Sequence, residues 1–166
     1  PFFIGKQTTN SQRIRLLHKM FPDAKYIHLI RDGRAVVNSL LNVDWWEDTE
    51  LWWAGKKVRE MKIEGYNDLV IAAKHWKHDI HNILNCKNNM GDKYIEIKYE
   101  DFISNTHFVL KRIIKFCDLQ HSSTYFDFIP QSSKLRNNWK NQLNHQQIEI
   151  LNKELKPELK EFGYIS

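Results

Sequence analysis

Arg31, Asp32, Gly33 and Arg34 stand between an apolar, β-prone run that ends at Ile30 and a helical pattern that begins at Ala35. A connecting loop has no need of such charge, so the residue types invite a chemical reading. Arg31 sits at the carboxyl end of the run and the amino end of the helix, where unpaired N–H groups and the helix dipole already favour an anion. A guanidinium adds a planar fork of donors matched to phosphate oxygens. The joint reads as a seat for phosphate. Asp32 would repel that anion, and is assigned instead to capping the helix and orienting Arg34. Lys134, Arg136 and Lys140 surround Trp139 in the polar stretch "PQSSKLRNNWKNQLN". They read either as a basic loop that closes over an anion, with Trp139 as its anchor, or as a solvated turn.

Other candidates are weaker. His75, His78 and His81 recur at three-residue steps, a spacing that drifts around a helix and completes no tetrahedral ligand set. They are read as an exposed face, and no metal is expected. His28, inside a β-prone run, reads as a core residue with a hydrogen-bond partner. Trp45, Trp46, Trp52 and Trp53 exceed what one core stripe needs. They could line an acceptor pocket, form a lid, or bury a short helical hairpin.

The elements that must position these groups follow from periodicity. "PFFIG" reads as a buried strand that delivers Lys6, and "RIRLLHKMF" as a helix with Ile14, Leu17 and Phe21 on one side, closed by Pro22. "AKYIHLI" (24–30) is the second strand, and Ala35, Val36, Leu40 and Val43 give the next helix its apolar stripe. Leu69, Ala72, Ala73, Trp76, Ile80, Ile83 and Leu84 repeat at helical steps over four turns. "KYIEIKYED" alternates as a strand, with Tyr94 to Tyr99 at its heart, and "HFVLKRIIKFCDL" is a helix offering Phe108, Ile113 and Phe116 to the core. A last helix rests on Ile148, Leu151, Leu155, Leu159 and Phe162, with Pro157 breaking it. Strands alternating with helices predict an α/β domain: a three-layer α/β/α arrangement on a parallel sheet, with ligands beyond the carboxyl ends of its strands.

Composition agrees with one such domain. The chain has 166 residues, 42% of them hydrophobic, and a net charge of +5 from 25 Lys+Arg against 20 Asp+Glu. That balance suits an anionic ligand and is too mild to argue for nucleic acid. Cys86 and Cys117 form no close-spaced motif, and no apolar run reaches membrane-spanning length. The chain starts without an initiator Met or a signal peptide, so it is read as a portion of a longer protein.

At these residues the chain resembles sulfotransferases that use 3'-phosphoadenosine 5'-phosphosulfate (PAPS). "FPDAKYIHLIRDGRAVVNSLL" is similar to the family segment that holds the 3'-phosphate, and the resemblance implies Arg31 and Ser39, eight positions on, as its ligands. "GKQTTN" resembles the family's Lys-Thr-Pro-Arg-Asn stretch, with Lys6 twenty-five residues before Arg31. "YIEIKYEDF" resembles the strand ending Tyr-Glu-Asp, which implies Tyr99 near the adenine. "NNWKNQLNHQQIEILNKELKPELKEFGY" resembles the C-terminal segment, which contains Lys140. Four stretches in family order carry the resemblance.

It implies a P-loop-nucleotide-hydrolase-like sulfotransferase fold over residues 1–166, its amino-terminal part missing. The family's 5'-phosphosulfate loop has no counterpart here, and Thr8 stands where some members carry a catalytic histidine. The expected activity is transfer of a sulfuryl group from PAPS to a hydroxyl or amine on a small-molecule, glycan or peptide acceptor. Lys6 is the expected catalytic cation, with Arg31, Ser39, Tyr99, Lys134 and Lys140 binding the nucleotide, and neither metal nor nucleic acid taking part. These 166 residues alone are expected to be inactive, and the compartment is expected to be cytoplasmic, with the Golgi lumen as the other option. A nucleotide kinase-like phosphotransferase is one alternative, although its Lys-bearing glycine-rich loop is missing. A non-catalytic nucleotide-binding module is the other.

Overall fold

In the computed structural model, which describes residues 3–133 and 138–166, the β-prone run becomes strand β1, Tyr26–Ile30. Its partner is β4, Tyr94–Lys98. The two pair in parallel, with Tyr26 opposite Tyr94, His28 opposite Glu96 and Ile30 opposite Lys98. A helix-rich chain on a parallel sheet is the α/β class that the alternation of elements predicts.

The chain divides into two compact units. The first comprises Pro1–Leu17, Asp32–Cys86 and Asn137–Ser166, and the second His18–Arg31 and Lys87–Arg136. Helix α1, Ile14–Met20, follows a 3-10 turn at Thr8–Arg13 and buries Ile14.

The first unit is helical apart from one small hairpin. Helix α2, Gly33–Leu40, buries Ala35 and Val37. Strands β2, Glu50–Leu51, and β3, Lys56–Lys57, pair antiparallel. Gly55 makes their turn possible, because its φ of 62° belongs to the left-handed region. Helix α3, Val58–Ile63, follows directly. Helix α4, Asp68–Met90, buries Leu69, Ala72, Ala73, Trp76 and Ile80, the residues that its periodicity nominates. Gly33 fits because it lacks a side chain. A Cβ there would stand 2.9 Å from the Trp76 ring and 3.0 Å from Leu155 Cδ1.

The second unit continues from β4 into helices α5, Tyr99–Ser104, and α6, Thr106–Phe116. The polar stretch after α6 is tied back by backbone bonds from Thr106 N to Gln131 O and from Ser133 N to Ile103 O. In the first unit, helices α7, Trp139–Gln142, α8, His145–Glu154, and α9, Lys156–Glu161, complete the chain. Pro157 falls in the first turn of α9 and separates it from α8, as expected, while Leu151, Leu155 and Leu159 are fully buried.

Four expectations need correction. Residues 3–7 form no strand, and Phe3 and Ile4 are exposed, because a five-residue apolar run becomes a strand only where another strand's edge receives it. Phe21 and Phe108 face solvent, so Ile14 and Val109 carry the core positions of α1 and α6. The segment after Asp44 is a β-hairpin with a short helix, and not a helical hairpin. Finally, Tyr99 is the first residue of α5 and no longer part of the strand.

Candidate functional site

The parallel register decides what lies at the end of the sheet. Ile30 is opposite Lys98, so Arg31 and Tyr99 are the next residue of each strand, leaving the sheet at the same end. The Arg31 guanidinium lies 4.9 Å from the centre of the Tyr99 ring. Both side chains are half-buried. An aromatic face attracts a cation without neutralising its charge or taking up an N–H donor.

The second unit also fixes β1 from its buried face. His28 is 8% exposed, and its Nδ1 lies 2.7 Å from the Tyr94 hydroxyl. That hydroxyl donates its one proton to Glu96 Oε1 at 2.9 Å, so His28 Nδ1–H is the donor to Tyr94. Lys87 Nζ reaches the same carboxylate at 3.4 Å. Burial pushes the His28 pKa down to about 4, against a smaller upward pull from Glu96. The core reading of His28 holds.

In the first unit, Asp32 and Arg34 satisfy one another. Asp32 Oδ1 accepts from Arg34 backbone N at 2.9 Å, which caps α2, and from Arg34 Nε at 3.0 Å. Asp32 Oδ2 accepts from Arg34 Nη2 at 2.8 Å. Arg34 Nη1 donates to Asn152 Oδ1 at 2.9 Å, and the guanidinium lies 4.5 Å from the centre of the Trp139 ring. Arg34 is therefore a buried structural cation, and Asp32's carboxylate is engaged as the sequence reading assigned it. Trp139 is buried at the start of α7.

Of the predicted site residues, Arg31 and Tyr99 are brought into contact. Ser39 is exposed near the end of α2. Lys6 is exposed in the irregular segment before the first 3-10 turn, so the strand-end position argued for it does not exist. Lys140 is exposed on α7, its Nζ 5.7 Å from the Trp139 ring centre. Lys134 and Arg136 lie outside the described residues.

The histidines of α4 divide. His78 and His81 are exposed, whereas His75 is half-buried beside the Trp46 ring at 5.7 Å, and burial lowers its pKa. His81 Nε2 reaches Glu158 Oε1 at 2.8 Å, and Glu158 is 1% exposed. The sequence reading missed that buried carboxylate, although a glutamate beside Leu159 in an apolar stripe was a legible sign of it. Three of the four tryptophans take partners on α4: Trp46 Nε1 donates to Asp68, Trp52 Nε1 donates to Asp79, and Trp53 stacks on His78, whereas Trp45 is exposed. Among the described residues, no group of three or more His, Cys, Asp or Glu is placed to hold a metal ion. A cleft of about 400 Å³ in the first unit is lined by Leu41, Asn67, Asp68, Leu69, Gln146, Gln147 and Ile150. With no basic side chain in that lining, it is ill suited to a nucleotide phosphate.

The family model described as "Sulfotransferase family" matches residues 1–123. The chain belongs to the sulfotransferase family.

Curated relatives agree with that placement. Protein-tyrosine sulfotransferase A of Caenorhabditis elegans is 28% identical over 122 residues, covering 72% of this chain and 28% of that protein. Omega-hydroxy-beta-dihydromenaquinone-9 sulfotransferase Stf3 of Mycobacterium bovis is 25% identical over 130 residues, covering 77% of this chain and 31% of that protein. The chain thus spans about a third of the length of these sulfotransferases. The crystal structure of sulfotransferase STF9 from Mycobacterium avium superposes with a TM-score of 0.60 at 18% identity, over 92% of this chain and 39% of that one. That likeness shows the sulfotransferase fold.

Proposed function

We propose that the protein transfers a sulfuryl group from PAPS to a hydroxyl-bearing acceptor, and that this chain supplies the 3'-phosphate side of the donor site. The observation that carries the reading is Arg31, set at the carboxyl end of a parallel strand against Tyr99, in a member of the sulfotransferase family. Arg31 and Ser39 hold the 3'-phosphate, the first by a charged fork and the second by its hydroxyl. Lys140, exposed on α7, supplies a further cation to the bound nucleotide. Lys6 meets the sulfonate and 5'-phosphate, where a cation offsets charge that develops on the leaving group. The acceptor oxygen attacks sulfur in line, the S–O bond to the 5'-phosphate breaks, and the acceptor proton passes to a base. The products are the sulfate ester and 3'-phosphoadenosine 5'-phosphate.

The hydroxyl is preferred to an amine because the relatives' names specify tyrosine in one case and an omega-hydroxyl in the other. Cys86 and Cys117 are unpaired thiols, which supports a cytoplasmic setting over an oxidising lumen. The test supplies sulfur-labelled PAPS to the full-length protein with tyrosine peptides, hydroxylated lipids and amines. Label on a hydroxyl product is expected. Tight PAPS binding with no labelled product from any acceptor would contradict transfer and favour a binding module.

A further inference from the structure

We infer that Asn38 is a positioning residue for the donor site: through Gln142 it sets how α7 sits on α2, and so where Lys140 stands relative to the 3'-phosphate. The inference rests on the donor-site reading above and goes beyond it, because that reading gives neither amide a role.

Asn38 is 8% exposed, and its Nδ2 donates to Gln142 Oε1 at 2.7 Å. Successive residues on a helix point about 100° apart. Helix α2 thus turns Asn38 toward α7 while Ser39, the next residue, is exposed. Arg34, one turn before Asn38, lies 4.5 Å from the centre of the Trp139 ring. Helix α2 therefore grips α7 at both ends, at Trp139 through a cation and at Gln142 through an amide. Lys140 lies between these two grips, its Nζ 5.7 Å from the same ring centre.

A four-residue helix has no stability of its own, so its contacts decide how it faces. Burial of Trp139 and Leu143 holds α7 down, but apolar burial is non-directional. The amide pair is directional. Sliding α7 along α2 would leave the buried Asn38 amide unpaired, at a cost above the bond's own net worth. An apolar residue at this position would need no partner at all. Buried polar pairs are best attested as devices that fix register. The register fixed here sets the helix that carries Lys140 beside the helix that carries Ser39.

The experiment measures binding of 3'-phosphoadenosine 5'-phosphate and of adenosine 5'-phosphate, which lacks the 3'-phosphate, to the full-length protein. Asn38→Leu and Gln142→Leu, the second at an exposed position, each remove the bond. Each should weaken the first nucleotide roughly 2- to 10-fold, the net worth of one hydrogen bond, and leave the second unchanged. The double variant should lose no more than either single one. With Lys140→Ala already in place, neither substitution should cost anything further. Equal weakening of both nucleotides, no weakening of either, or losses that add to that of Lys140→Ala would make the amide pair merely structural and overturn the inference. If Lys140→Ala leaves both nucleotides unchanged while Arg31→Ala weakens only the first, the inference alone fails. If Arg31→Ala weakens both equally, the donor-site reading fails and the inference falls with it.

Discussion

Asp32 and Arg34, two residues apart, close on one another through a bidentate pair at 3.0 and 2.8 Å, with both side chains buried. This separates the roles inside a short charged motif. Arg31 keeps company with an aromatic ring, while the other two charged residues of "RDGR" hold helix α2, Asn152 of α8 and Trp139 of α7 together. Asp32's carboxylate is engaged by Arg34 through both of its oxygens.

Breaking that pair from one side should be costly. Asp32→Ala strands a buried guanidinium and removes the cap of α2, and such losses run to about 3–5 kcal/mol. Urea unfolding measures it. Replacing both partners with apolar residues, as in Asp32→Leu with Arg34→Met, should recover part of the loss. No difference between the single and double variants would show that the pair contributes little.

Much of this arrangement was legible in the sequence, because its signals are local. The stripe Leu69, Ala72, Ala73, Trp76 and Ile80 announces α4, Asp32 announces the start of α2, and Pro157 announces a break. Arg31 could be placed at a strand end from residue types alone. The contact between Arg31 and Tyr99 could not, since it depends on the register of two strands far apart in sequence. "PFFIG" misled for the same reason, because a strand exists only through its partner. The tryptophans were ambiguous because their partners, Asp68, His78 and Asp79, belong to another helix. Glu158 stands beside Leu159 in an apolar stripe, a sign of burial that the sequence carries, but its pairing with His81 is a tertiary fact.

His28 predicts a pH dependence. Burial lowers its pKa from 6.5 to about 4 in the folded chain, so between those values the unfolded chain binds more protons. Stability contributed by neutral His28 is complete above pH 6.5 and drains away as pH falls toward 4, by roughly 3 kcal/mol in all. The check is urea unfolding across pH 4–7 for the wild type and His28→Gln. The wild type should show the steeper fall. Parallel curves would mean that His28 titrates normally in the fold.

Gly33 predicts a steric defect. A Cβ at this position meets the Trp76 ring at 2.9 Å and Leu155 Cδ1 at 3.0 Å, in a core with little room to yield. Gly33→Ala should cost about 1–3 kcal/mol, the usual range for overpacking, despite alanine's better helix propensity. Calorimetry measures the fall in melting temperature. A rise would show that Trp76 and Leu155 shift freely.

The central claim is that Arg31 reads the 3'-phosphate, and one comparison tests it most directly. In the full-length protein, isothermal titration sets 3'-phosphoadenosine 5'-phosphate against adenosine 5'-phosphate for the wild type and Arg31→Ala. The substitution should cost the first nucleotide about 1.5–3 kcal/mol, the scale of a hydrogen bond to a charged group, and leave the second unchanged. Equal losses for both nucleotides, or none for either, would contradict the claim.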